Sequence, residues 1–148
     1  MSMKTAISSL ALSLSLTTGA AFAQTQAATA ASPTEKVQLQ QIRNATVKIT
    51  YANTTFLIDP MLAKKGTYPG FEGTYRSTLR NPLVELPISE KEVIAGVDAV
   101  IITHTHLDHW DEAAQKLLPK DIPLYAQNQA DATMIREQGF TNVRILSD

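Results

Sequence analysis

Apolar and polar side chains first alternate regularly at Ala45. In "ATVKITY", Ala45, Val47, Ile49 and Tyr51 share one side of an extended chain, and Thr46, Lys48 and Thr50 share the other. That is the period of a half-buried β-strand. Ala52-Asn53 suits a tight turn into "TTFLID", a second strand rich in β-branched and aromatic residues. The hairpin should end at Asp59-Pro60, because proline has no N–H to donate to a ladder. From Met61 to about Leu86 the periodicity disappears, and Gly66, Gly70, Gly73, Pro69 and Pro82 sit among Tyr68, Phe71 and Tyr75. An unstructured loop of this length inside a domain is usually functional or disordered, and its aromatic residues argue against disorder. Its aromatic residues would either wall a site or pin the loop to the surface, and the pattern leaves both readings open.

Regular structure resumes at Ser89-Glu90-Lys91-Glu92, which has capping-box spacing, with Gly96 placed to end the helix. Val97 to Thr103 is an apolar, β-branched run, as expected of a strand covered on both faces. Asp111 can cap a helix that runs through Leu118 and is stopped by Pro119. A short strand over Ile122 to Ala126, a helix from about Ala130 to Gln138 ended by Gly139, and a strand over Thr141 to Leu146 complete the chain. A β-hairpin followed by β-α-β-α-β predicts a layered α/β architecture, in the wider sense α+β.

Residues 1–23 stand apart from this pattern. Lys4, a modest apolar run from Ala6 to Leu16 and the small residues Ala21-Phe22-Ala23 form the three parts of a secretory signal peptide, with Gln24 as the new N-terminus. Serines interrupt the run, which is shorter than the ~20 residues that span a bilayer. Residues 24–36 are small and polar and read as a disordered linker, leaving 37–148 as the folded domain. The expected location is therefore periplasmic or secreted, with no membrane contact after the leader is removed. The 148 residues include no cysteine, so no disulfide can brace an exported fold. A formal net charge of −1 gives no reason to expect a nucleic-acid partner.

All three histidines fall in "VIITHTHLDHWD". In an extended stretch His104 and His106 lie on the same side, and Asp108 and His109 follow where the chain turns towards the next helix. Imidazole and carboxylate together suit zinc and related divalent ions, and α/β sheets place their sites beyond the carboxyl ends of strands.

His104-Thr105-His106-Leu107-Asp108-His109 has the form HxHxDH and resembles the signature of the metallo-β-lactamase-fold hydrolases. Asp59, closing "TTFLID", is similar to the acidic residue those proteins place before the signature. "FLIDPML" and "NPLVELP" resemble the lactonase-like branch, which includes ascorbate-6-phosphate lactonase and exported relatives. The resemblance runs from about Val37 onward. It implies an αββα sandwich and a metal-activated water that attacks an ester, lactone or related bond of a small-molecule substrate. It also implies one or two divalent ions, zinc foremost and manganese as the alternative. His104 and His106 would hold the first ion, and Asp108 and His109 the second. Asp108 would also orient the nucleophile, and Asp59 would fix a ligand imidazole by hydrogen bonding. Tyr68, Phe71 and Trp110 are the candidates for a substrate wall, Trp110 more simply as packing beneath the site. Asp111 reads as a helix cap.

The family's later ligands, a further histidine for each metal and a bridging aspartate, have no counterpart after His109. Asp121, Asp131 and Asp148 do not follow the strand-end pattern a bridging ligand requires. The expectation is therefore the N-terminal half of the sandwich, with an apolar sheet face that would favour a homodimer. The alternative readings are a non-catalytic metal-binding fragment and a periplasmic interaction module.

Overall fold

The computed structural model describes residues 36–146, all within a compact unit that spans Pro33–Asp148. The leader at 1–23, and the linker apart from the exposed Lys36, lie outside the described residues. Six strands form one sheet in chain order: β1 Gln38–Arg43, β2 Thr46–Tyr51, β3 Thr54–Ile58, β4 Ala99–Ile102, β5 Leu124–Ala126 and β6 Val143–Ile145. The pairs β1–β2 and β2–β3 are antiparallel, whereas β3–β4, β4–β5 and β5–β6 are parallel. Helices α1 Glu90–Ile94, α2 Glu112–Leu117 and α3 Gln129–Glu137 precede β4, β5 and β6 in turn. The α/β expectation holds.

Each predicted helix starts where its cap lies. The Ser89 Oγ accepts from Glu92 N, while the Glu92 carboxylate accepts from Ser89 N at 2.9 Å, so two otherwise orphaned donors are satisfied. The Ser89 hydroxyl, donating to the Glu92 carboxylate at 2.6 Å, and then Ser89 N hold the Glu92 carboxyl below its usual range. An Asp111 oxygen accepts from Ala114 N at 2.8 Å, and Asn128 accepts from Asp131 N at 2.9 Å. Gly139, at φ 92, ends α3 in the left-handed region that a side chain disfavours. Ala52 and Asn53, at φ 48 and 60, form the two-residue turn of the β2–β3 hairpin.

Two features depart from the sequence reading. The pattern does not predict strand β1, because its outer residues are exposed and mostly glutamine; only Ile42 and Arg43 at its end are buried. The register shifts between Gln41 and Arg43, which turns Ile42 and Arg43 inward. The second departure concerns the faces of β2. Lys48 pairs with the buried Leu57, which pairs with Val100, which pairs with Leu124. That row faces the helices, so the polar side of β2 (Thr46, Lys48, Thr50) lies on the core side. Thr46 is fully buried, and the Lys48 ammonium donates to the Ala95 carbonyl at the end of α1, at 2.7 Å. The apolar side, Val47, Ile49 and Tyr51, lines the opposite face with Phe56, Ile58, Ile101 and Tyr125. Those side chains are half-buried or exposed, and Ile101 is consequently less covered than its neighbours in β4.

The core lies between the helices and the inner sheet face. Leu57, Val100, Ile102, Leu124 and Ala126 pack against Val93, Ala114, Leu118, Ala132, Ile135 and Phe140. Each fully buried Leu, Ile or Val contributes about 1.5–3 kcal/mol by leaving water. Among the described residues no helix is long and apolar enough to cross a membrane.

Candidate metal centre

Strand β4 delivers the chain to the end of the sheet, and Asp59 receives it there. Asp59 leaves β3 at φ 45, a left-handed conformation that aspartate tolerates better than most residues. Its N–H donates to the Ile101 carbonyl at 3.0 Å, and its own carbonyl accepts from the Thr46 hydroxyl at 2.7 Å. The residue is 3% exposed. Its carboxylate accepts from Thr103 N at 2.8 Å and from the Thr103 hydroxyl at 2.7 Å. A third contact, 2.8 Å from His109 Nδ1, makes that nitrogen the donor to the carboxylate. His109 Nε2 lies 3.6 Å from an Asp108 carboxylate oxygen.

The ligand-type atoms of His104, His106 and Asp108 all lie within 4.8 Å of one another. The His104 ring meets His106 edge-on at 4.7 Å between centroids and lies 3.8 Å from the His109 ring. His109 lies beside this three-residue group, its ring stacked near His104 and its Nε2 close to the Asp108 carboxylate. Two imidazoles and a carboxylate match the three protein ligands of an open catalytic site for zinc or a similar ion.

The loop is fastened from several directions. Asn44 Nδ2 donates to the Asp108 carbonyl at 2.8 Å, and the Thr105 hydroxyl donates to Asp131 at 2.8 Å. The backbone N–H groups of His109 and Trp110 both reach the His106 carbonyl at 2.9 Å. Asn44, Thr103, Thr105 and Asp131 escape the sequence reading. Asn44, at φ 50, turns the chain out of the strand that the pattern does not show. The sequence pattern sets Asp131 aside as a bridging ligand, and in the fold it is an acceptor that secures the loop.

The three proposed wall residues separate. Trp110 is 2% exposed, packs on Phe140 at 5.4 Å and donates from Nε1 to Gln138 at 2.7 Å, so it is core and forms no substrate wall. Tyr68 does not wall the Asp108 side either; it lines a shallow recess with Leu62, Glu112, Ala113 and Lys116 at the start of α2. Phe71 does share a cavity of about 430 Å³ with Asp108, Arg43 and Asn44. Asp111, fully buried, caps α2 and also accepts from Ala63 N at 2.8 Å, pinning the long loop to the helix.

Burial, and secondarily the Asp111 carboxylate, push the Tyr68 hydroxyl from 10.0 up to about 12. A folded-state value above the unfolded one favours the fold below pH 10, and that contribution is lost as pH rises through 12. Denaturant unfolding should therefore show stability declining more steeply across that interval in the wild type than in Tyr68→Phe. Parallel declines would mean that the hydroxyl is not held in this way.

Residues 54–145 match the β-lactamase superfamily domain. The chain is 54% identical over 110 residues to the UPF0173 protein YddR of Bacillus subtilis (strain 168), a match covering 74% of this chain and 43% of that protein. Among solved structures it resembles an isothiocyanate hydrolase from Delia radicum gut bacteria, at 57% identity and a TM-score of 0.72, over 74% of this chain and 42% of that one. It is similar, at 53% identity and a TM-score of 0.72, to a possible metal-dependent hydrolase from Veillonella parvula DSM 2008, over 75% of this chain and 42% of that one. The chain thus spans less than half the length of these relatives.

Proposed function

The chain belongs to the metallo-β-lactamase-fold superfamily, and from that premise we propose that it carries the metal-binding part of an exported, divalent-metal-dependent hydrolase. The observation that carries this reading is the convergence of His104, His106 and Asp108 at the carboxyl end of β4. The ion is zinc ahead of manganese, because two imidazoles with one carboxylate suit zinc's borderline-soft character. One ion fits the three-residue group, and His109 Nε2 with Asp108 offers donors for a second. Once bound, such an ion supplies Lewis acidity, acidifying water and stabilising negative charge that develops on the substrate.

The chain's own residues orient and hold. Asp59 fixes the His109 tautomer and anchors the loop through Thr103. Asp108 presents its carboxylate where a water could be oriented towards an electron-poor carbon. The bond attacked is an ester, a lactone or a related electrophilic group. The relative that hydrolyses isothiocyanates extends that class to the isothiocyanate carbon. The partner is a small molecule rather than nucleic acid or membrane. The residue pattern of 1–23 supports the periplasm or the exterior as the place of action.

The test is hydrolysis of an aryl ester, a simple lactone and an alkyl isothiocyanate by the zinc-loaded chain beside the chelator-treated one. The expected result is at least a tenfold gain with metal on one of the three. Zinc bound at about one ion per chain with no gain on any would favour a non-catalytic metal-binding module.

A further inference from the structure

The cavity shared by Phe71 and Asp108 bears on the class of substrate that the proposed hydrolase would take, and its meaning rests on that proposal. Asp108 belongs both to the metal-donor group and to the lining of this cavity. A molecule whose reacting atom sits at the donors therefore has its substituent in the cavity. Its volume, about 430 Å³, lies in the range of small-molecule pockets. The wall is apolar at Met61, Phe71, Pro82, Leu83 and Val84, with the amide of Asn81 among them. Leu83 and Val84 are 53% and 58% exposed, so the lip is an uncovered apolar surface beside a polar centre.

The charges of the lining sharpen the inference. Arg43 is the one cation there among the described residues, and it is committed elsewhere. Its Nη1 donates to the Val84 carbonyl at 3.0 Å, and its Nη2 donates to the Met61 and Ala63 carbonyls. The side chain is 5% exposed, and Nε is buried without a partner. Its job is to hold the loop ends that carry Met61 and Val84 against β1. An anionic substituent would find no free cation among the described residues that line the cavity. Asn44, the neighbouring amide, donates to the Asp108 carbonyl.

We infer that this cavity receives an uncharged branched-alkyl or aryl substituent, with Phe71, Leu83 and Val84 setting the preference, so that the substrate is a neutral apolar electrophile rather than a phosphorylated or carboxylated sugar derivative. A change of one methylene in an apolar pocket alters specificity by about ten- to 200-fold, so the preference should be readable.

The experiment titrates the zinc-loaded chain with N-benzylacetamide and with its anionic counterpart 4-(acetamidomethyl)benzoate, following the methyl resonances of Met61, Leu83 and Val84. The neutral probe should shift all three, and the carboxylate should bind at the same methyls at least tenfold more weakly. Phe71→Ala should weaken the neutral probe about tenfold with zinc content unchanged. Equal or tighter binding of the carboxylate at those methyls, or indifference to Phe71→Ala, would overturn the assignment. Turnover separates this inference from the reading beneath it. Probe binding as described with no hydrolysis of any electrophile sinks the hydrolase and supports the cavity. Hydrolysis of methyl and benzyl isothiocyanate at equal kcat/KM, unaltered by Phe71→Ala, sinks the cavity assignment and keeps the hydrolase.

Discussion

A chain carrying His104→Ala and His106→Ala together should lose divalent metal on gel filtration while keeping its fold. Zinc sites with about four protein ligands bind with about 10–16 kcal/mol, or ~3 kcal/mol per ligand. Losing two donors of three should therefore weaken binding by more than about a thousandfold. The fold should barely respond, because His106 is exposed, His104 is half-buried, and neither packs in the core. Substitutions at such positions usually stay within about 0.5 kcal/mol. Elemental mass spectrometry gives the metal content, and circular dichroism with thermal melts gives the fold. Metal retained at the wild-type level in the double variant would place the ion away from this group altogether.

For Asp108→Ala the expected loss is in turnover: kcat lower by roughly 10²–10⁴, the usual contribution of a positioned acid–base or orienting group, with KM changed only a few-fold. The asymmetry follows from geometry. Asp108 is one of the donors and contributes only part of the cavity lining, so most contacts with the unreacting part of a substrate survive its removal. Trp110→Phe is the control. Trp110 packs on Phe140 beneath the loop, so its shortening should lower the melting temperature and leave kcat within about twofold of wild type. Equal losses of turnover in the two variants would contradict these roles.

Most elements are legible in the sequence because their punctuation is local. Ser89 with Glu92, Asp111 before α2, and Gly139 after α3 each settle a helix end through hydrogen bonds or backbone freedom within a few residues. The four ligand-type side chains are legible for the same reason, since one strand end and one turn carry them all. What escapes depends on partners distant in the chain. Strand β1 has no apolar alternation of its own, and it is recognisable only through the ladder that β2 offers it. The inward face of β2 cannot be chosen from its pattern, because Thr46 is buried through hydrogen bonds rather than hydrophobicity. Trp110, placed beside the ligands, admits both a stacking and a packing role. Only the position of Phe140, beyond α3 in the chain, decides for the core. Asn44 and Asp131, which secure the loop, lie 64 and 26 residues from the groups they bond.

The strand order β1-β2-β3-β4-β5-β6 also has a kinetic meaning. Every strand pairs only with its neighbours in the order of synthesis, so no early strand waits for a late one and no gap must be held open for a later insertion. Such a sheet can lengthen from the β2–β3 hairpin as the chain emerges, with two-residue closures at β1–β2 and β2–β3 and the 59–98 connection as the longest. The Asp59–Thr103 contacts form when that closure succeeds. If the strands dock in chain order, Asp59 holds the start of the loop bearing His104, His106 and Asp108 before β5 or β6 arrives, and the bond from Thr105 to Asp131 completes the fastening only with α3.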